Sequence, residues 1–339
     1  MAPSLATVVA IFLAAILLSS PPPCAAASSA PAPAAAGHGV PAVFAFGDST
    51  LDPGNNNRLA TLVRADHAPY GRDFPGGAAT GRFTDGKLIT DYIVSSLGIK
   101  DLLPAYHSSG LAVADASTGV SFASGGSGLD DLTANNALVS TFGSQLNDFQ
   151  ELLGHIGSPK SDEIAGKSLY VISAGTNDVT MYYLLPFRAT NFPTVDQYGD
   201  YLIGLLQSNL NSLYKMGARK MMVAGLPPLG CLPVQKSLRG AGSGGCVTEQ
   251  NEAAERYNAA LQKALSKLEA DSPGAKIAYA SLGCCGTGMM EMGALCTSAL
   301  PQCQSPSQYM FFDSVHPTQA TYKALADEIV KSHVPQLMQ

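Results

Sequence analysis

The chain has 339 residues, of which 46% are hydrophobic and 14% charged, enough apolar material for a large core and too much for a disordered chain. Its formal charge is −6, and no Lys/Arg block stands anywhere in it. Both features argue against a phosphate-binding face, so nucleic acid is not expected as a partner.

The first 47 residues contain no Lys, Arg, Asp or Glu. An apolar run over residues 5–18 is followed by Ser19, Ser20, three prolines and then Cys24-Ala25-Ala26-Ala27, the order of a cleaved secretory signal. The run is shorter than the roughly 20 residues a spanning helix needs. Residues 1–27 therefore read as a signal peptide, 28–39 as a disordered Ala/Pro/Ser-rich leader, and 40–339 as a single domain with no stable membrane span. The expected location is outside the cell, in the medium or the cell wall. Beyond Cys24 stand six cysteines, Cys231, Cys246, Cys284, Cys285, Cys296 and Cys303, an even number that suits three disulfides in an exported chain, with the pairing open. No CxxC pair or nearby His gives them zinc-ligand spacing, and no metal is expected. No Asn-x-Ser/Thr sequon occurs.

In chain order, residues 43–46 form a short apolar run ending at Gly47, the pattern of a buried strand. Residues 88–97 have helical spacing. Residues 120–123 read as a strand entering a turn with Gly125, Gly126 and Gly128. A helix is predicted over 145–153, a strand over 169–173 ending at Ala174-Gly175, and a long amphipathic helix over 198–216 stopped by Gly217. A strand over 220–224 closes at Pro227-Pro228. A helix over 249–268 stops at Pro273-Gly274, a strand covers 276–280, and a last helix over 318–330 is entered through Pro317. Alternating strands and helices imply a parallel sheet covered on both faces, with ligands beyond the carboxyl ends of its strands.

Three strand exits carry small or polar groups that could do chemistry. Ser49 follows the first strand in Gly47-Asp48-Ser49. A serine nucleophile needs a base, an orienting group for that base, and donors for the oxyanion. Asp313-Ser314-Val315-His316-Pro317 supplies the first two. A spacing of three lets the Asp313 carboxylate reach His316 Nδ1, leaving Nε2 for the serine proton, and Pro317 in the first helical turn would leave His316 at the cap. The Gly126 amide and the Asn177 side chain are candidate oxyanion donors. His38 lies in the leader, and His67, His107 and His155 have no partner identifiable from the sequence.

These pieces, in this order, resemble the GDSL-type esterase/lipase family, the SGNH hydrolases, and its plant branch in particular. The first block stands as Phe46-Gly47-Asp48-Ser49-Thr50-Leu51-Asp52-Pro53-Gly54-Asn55-Asn56, with Thr50 in place of the eponymous leucine. Pro69-Tyr70-Gly71 and Gly81-Arg82-Phe83-Thr84-Asp85-Gly86 accompany it. Phe122-Ala123-Ser124-Gly125-Gly126 matches the second block, with Ser121 where asparagine is usual, and Gly175-Thr176-Asn177-Asp178 matches the third. Leu226-Pro227-Pro228-Leu229-Gly230-Cys231 and Gly283-Cys284-Cys285-Gly286 are further plant-branch signatures, and residues 313–317 match the last block.

The resemblance implies a three-layer α/β/α sandwich with a flavodoxin-like parallel sheet and no metal or organic cofactor. It implies Ser49 as nucleophile, His316 as base and acid, Asp313 as its orienting group, and an oxyanion hole from the Ser49 and Gly126 amides and Asn177. Arg82, Phe83 and Asp85 are expected to hold a loop near the site rather than to react. The implied activity is hydrolysis of small-molecule or lipid carboxylic esters by a secreted serine esterase. Acyl transfer to an alcohol would use the same groups. One departure stands out. After residues 276–280 the family continues through a helix before its Cys-Cys-Gly motif, whereas here only Ser281 and Leu282 intervene before Gly283. A helical element is thus expected to be missing near 280–283, which would uncover apolar sheet or displace the base, leaving a binding protein as the alternative outcome. The oligomeric state is not legible.

Overall fold

Short runs of Val, Ile, Phe, Tyr and Met become strands here because each is covered on both faces, where β-branched and aromatic side chains pack best. The computed structural model describes residues 39–184, 187–239, 245–280, 310–313 and 315–338. The elements that position the site are β1 (Val43–Gly47), α1 (Ile89–Ser96), β2 (Gly119–Ser121), α2 (Asp131–Ala137), α3 (Phe142–Ile156), α4 (Lys160–Lys167), β3 (Leu169–Ser173), α5 (Thr176–Leu184), α6 (Val195–Lys215), β4 (Lys220–Ala224), α7 (Thr248–Asp271), β5 (Lys276–Ala280) and α8 (Gln319–Ser332).

The five strands pair in parallel in the order β2-β1-β3-β4-β5. Alternation along each strand divides the core in two. Phe44, Phe46, Tyr170, Ile172, Met221 and Val223 face α3, α6 and α7. Val43, Ala45, Leu169, Val171, Met222 and Ala278 face α1 and α8. This is the α/β/α sandwich expected from the alternation of elements. On the first side Phe46 stacks on Phe122 and meets Phe149 edge-on, with ring centroids 5.1 and 5.7 Å apart. Each fully buried side chain of this size contributes roughly 1.5–3 kcal/mol.

Between β1 and β3 the chain changes direction across the sheet: β1 leads to β2 on one side, β3 to β4 on the other. A crevice opens at such a point beyond the carboxyl ends of the strands. Here those ends carry Asp48-Ser49 and Gly175-Thr176-Asn177. Gly47 permits the close approach: its φ is 132°, and a Cβ would lie 1.8 Å from the Ser173 carbonyl oxygen.

The last helix begins one residue later than expected. Thr318, not His316, is the N-cap of α8, its hydroxyl accepting from the Thr321 amide. Pro317 lies outside the helix in a bridge to Phe311. Of the expected disulfides, Cys231–Cys246 is formed, with Cα atoms 4.5 Å apart. Cys284, Cys285, Cys296 and Cys303 and the expected gap near 280–283 lie outside the described residues, apart from Ala280, as do the proposed signal and nearly all of the leader.

Candidate active site

Ser49 sits on a turn built by its neighbours. Asp48 donates its amide to the Ser173 carbonyl at 3.0 Å, tying the turn to β3. Its carboxylate accepts from the Thr50 amide at 3.0 Å and the Thr50 hydroxyl at 2.7 Å. Burial pushes the Asp48 carboxyl above its ordinary range, against the pull of the Thr50 bonds. Gln145 of α3 clamps Gly47 from the other side, accepting from its amide at 2.8 Å and donating to its carbonyl at 2.9 Å. The serine hydroxyl is therefore held by a strand end bonded in two directions.

His316 reaches Ser49 across 267 positions of sequence, with Nε2 2.7 Å from the Ser49 Oγ. Its Nδ1 lies 2.7 Å from Asp313 Oδ2. The other Asp313 oxygen accepts from the Val315 and His316 amides at 2.8 and 2.7 Å, so the three-residue spacing closes a tight turn around the carboxylate. Tyr70 donates its hydroxyl to Asp313 Oδ2 at 2.5 Å. The Phe83 ring lies against the imidazole, centroids 4.9 Å apart. All three members of the chain are buried, Ser49 at 5% exposure, His316 at 4% and Asp313 at 8%.

The 81–86 loop anchors the segment that carries His316. Thr84 donates its hydroxyl to the Pro317 carbonyl at 2.9 Å, and Asp85 accepts from the first helical amide of α8, Gln319, at 2.7 Å. Arg82 is held in a buried bidentate pair with Asp91, at 2.8 and 2.9 Å, and donates to the Leu103 carbonyl. These are the supporting positions expected of Arg82, Phe83 and Asp85.

Gly126 and Asn177 come to the same strand ends. Gly126 adopts φ 82°, and a Cβ there would press on Ala137 and Val63 at 3.2 Å. The amides of Ser49 and Gly126 donate to no other group among the described residues. Asn177, in the first turn of α5, spends one side-chain proton on the Ser127 carbonyl at 2.8 Å and keeps the other. Asp52 and Asn56 grip the Gly125 peptide from both ends: Asp52 accepts from its amide at 2.8 Å, and Asn56 donates to its carbonyl at 2.8 Å. Asp178 accepts from the Leu129 and Asp130 amides and the Thr133 hydroxyl, pinning the loop beyond Gly126 to α5. Burial raises the carboxyls of both Asp52 and Asp178 to about 6.

Tyr70, Asp52, Gln145 and the anchoring role of Asp178 were not foreseen, although Tyr70, Asp52 and Asp178 stand in blocks that carry the family resemblance. His107, without a partner in the sequence reading, pairs with Asp148 at 2.9 Å, and that carboxylate raises its basicity. It lies outside the site. No group of three or more His, Cys, Asp or Glu among the described residues could hold a metal. No helix among them is long and apolar enough to cross a membrane.

Residues 43–329 match the model of the GDSL-like Lipase/Acylhydrolase family. A GDSL esterase/lipase of Arabidopsis thaliana is 40% identical over 329 residues, covering 88% of this chain and 91% of its own. A second from the same plant is 38% identical over 357 residues, covering 97% of each. Among solved structures, a catalytic mutant of Axe2, an acetylxylan esterase from Geobacillus stearothermophilus, is 16% identical with a TM-score of 0.40, covering 87% of this chain and 93% of that one. In the first alignment 88% of 339 residues is about 298, so about 31 of the 329 aligned positions have no residue of this chain. With the family model spanning most of its length and relatives this similar, the chain belongs to the GDSL-like lipase/acylhydrolase family.

Proposed function

We propose that this protein is a secreted hydrolase of carboxylic esters that works through an acyl-enzyme on Ser49. The observation that carries the reading is the unbroken chain from the Ser49 Oγ to His316 Nε2 and from His316 Nδ1 to Asp313. With Nδ1–H donated to the carboxylate, Nε2 is the free base. Ser49 Oγ attacks the ester carbonyl carbon as its proton passes to Nε2. The carbonyl oxygen becomes an oxyanion that accepts from the Ser49 and Gly126 amides and the Asn177 side chain. The protonated Nε2 then returns its proton to the leaving alcohol oxygen as the C–O bond breaks. Water, deprotonated by Nε2, attacks the acyl-serine, releases the acid and restores the Ser49 hydroxyl. Asp313 holds the tautomer and steadies the imidazolium throughout, and Tyr70 fixes Asp313.

The same site would transfer the acyl group if an alcohol replaced water, but no observation favours that acceptor. The shortfall in aligned length does not favour a binding protein either, because the Ser49–His316 and His316–Asp313 hydrogen bonds are made. Export is supported by the Cys231–Cys246 bond, which belongs to an oxidising compartment, and by the leading apolar run, which we read as a signal peptide over 1–27 ahead of one domain over 40–339. Ser49→Ala is expected to lower kcat on a short-chain aryl ester by a factor on the order of a thousand or more and to abolish labelling by a serine-directed fluorophosphonate, with an unchanged thermal melt. Undiminished turnover in that variant would overturn the reading.

A further inference from the structure

Tyr70 brings a hydroxyl to the carboxylate that stands behind His316. Its ring needs no hydrogen bond to be held in place. It is 1% exposed and wedged among Phe83, Phe312 and His67, with ring centroids 5.9, 5.4 and 5.5 Å away. The backbone is tied on both sides: the Tyr70 amide donates to the His67 carbonyl at 3.1 Å, and the Gly71 amide to the Thr84 carbonyl at 3.0 Å. A buried phenol still requires an acceptor. Here the acceptor is Asp313 Oδ2, at 2.5 Å, the same oxygen that faces His316 Nδ1 at 2.7 Å.

A carboxylate has about four acceptor sites, two on each oxygen. Those of Asp313 are all in use: the Val315 and His316 amides bond one oxygen, the phenol and the imidazole the other. The group is therefore pinned against rotation, and Oδ2 divides its charge between two donors. The phenol contact lies at the short end of the range for an O–H···O⁻ bond, where such bonds are strong. A donor to an ionised carboxylate stabilises the charge where it stands, which leaves less of it to attract an imidazolium. Other titratable groups face the pair without bonding it. Asp48 on the nucleophile turn lies within electrostatic reach of His316 but accepts from Thr50. Asp85 of the 81–86 loop accepts from the Gln319 amide. Tyr322 of α8 lies within electrostatic reach of Asp313, and its hydroxyl has no hydrogen-bond partner among the described residues. Phe83 covers the imidazole with an uncharged ring.

We propose that Tyr70 is a positioning residue that acts on His316 through Asp313: it pins the carboxylate and shares its charge, so that the imidazole stays an unprotonated base in more acidic solution than the Asp313–His316 pair alone would allow. This rests on the assignment of Ser49 as nucleophile and His316 as its base. Tyr70 itself stands one step removed from the reacting atoms.

The test compares kcat/KM of wild type and Tyr70→Phe on p-nitrophenyl acetate from about pH 5 to about pH 8, the range in which a histidine base titrates. Phenylalanine keeps the ring and its packing and removes the hydroxyl alone. The variant is expected to lose kcat several-fold with KM unchanged, and its acid limb is expected to move toward higher pH by roughly 0.5–1. A hydroxyl that merely packs would lower the rate alike at every pH. An acid limb left in place, or moved to lower pH, overturns the proposal. Asp313→Asn supplies a second arm. With the carboxylate charge gone, adding Tyr70→Phe is expected to change kcat/KM by less than about twofold; a further loss of about tenfold there would mean that the tyrosine acts on the substrate directly, and also overturns it. Proton NMR of the Ser49→Ala protein, at a pH where His316 is protonated, separates this proposal from the nucleophile assignment. Adding Tyr70→Phe is expected to move the His316 Nδ1–H resonance downfield as its bond to Asp313 strengthens, and an unmoved resonance counts against Tyr70 even where Ser49→Ala is inactive. Retained acetate turnover in Ser49→Ala defeats the nucleophile assignment alone.

Discussion

At the scale of single residues, the site is a set of carboxylates with different tasks set by what surrounds them. Asp313 faces an imidazole and a tyrosine hydroxyl, whereas Asp52 faces backbone alone. One Asp52 oxygen accepts from the Gly54 and Asn55 amides at 2.8 and 2.6 Å, and the other from Gly125 at 2.8 Å. Every partner is a donor, so a side-chain amide cannot stand in for the carboxylate: its NH₂ would confront an N–H on one side or the other. Asp52→Asn is therefore expected to turn the Gly125-Gly126 peptide away from the oxyanion position proposed for it. Loss of one such donor costs a factor on the order of 100 in kcat, with KM for a short ester nearly unchanged, as steady-state kinetics will show. The sequence made Ser49, Asp313 and His316 readable as candidates because their blocks stand in the order of the family resemblance, with the carboxylate and imidazole three residues apart. It could not make Tyr70 readable as a partner of Asp313, since 243 positions separate them and no local spacing encodes the contact.

At the scale of elements, the site depends on where helices and strands stop. The strands were legible because each is a short apolar run closed by a small residue, and β3, β4 and β5 have the bounds expected of them. Helices α2 and α5 were not, because Asp-Leu-Thr-Ala-Asn-Asn-Ala and Thr-Asn-Asp-Val-Thr-Met-Tyr-Tyr-Leu carry no apolar stripe of period 3.6. They are helical through tertiary anchoring, chiefly by Asp178. The start of α8 was misplaced by one residue because Pro317 is a familiar first-turn residue, while the hydroxyl that caps the helix is that of Thr318. That cap stands two residues beyond His316. Thr318→Ala is expected to cost about 1 kcal/mol in urea unfolding. It should also lower kcat, because fraying of α8 loosens the Gln319–Asp85 bond that holds the histidine loop. A stability loss with kcat intact would show that Thr84 and Asp85 hold that loop without the helix.

At the scale of the whole molecule, buried carboxylates give the fold a direction in pH. Burial raises Asp48 and Asp85 above the ordinary 3.8, and raises Asp52 and Asp178 to about 6. A carboxyl that titrates higher in the folded state than in the unfolded binds a proton more tightly when folded. Between about 4 and about 6 the folded chain therefore holds protons the unfolded chain has released, and stability falls as pH rises through that window. For a fully buried carboxyl shifted from 3.8 to about 6 the effect is at most about 3 kcal/mol. His107, raised by Asp148, works in the same sense: its contribution is complete below the unfolded histidine value and is lost as pH rises through the folded one. The melting temperature is accordingly expected to be higher near pH 4.5 than near pH 7.5, and scanning calorimetry across that range checks it; a rising trend would contradict the burial of these carboxyls. Turnover runs the other way, since a protonated His316 cannot accept the Ser49 proton. The pH of greatest activity must then lie above the pH of greatest stability, and a coincidence of the two maxima would mean that the carboxylates under Gly125 and Asn177 do not titrate with the fold.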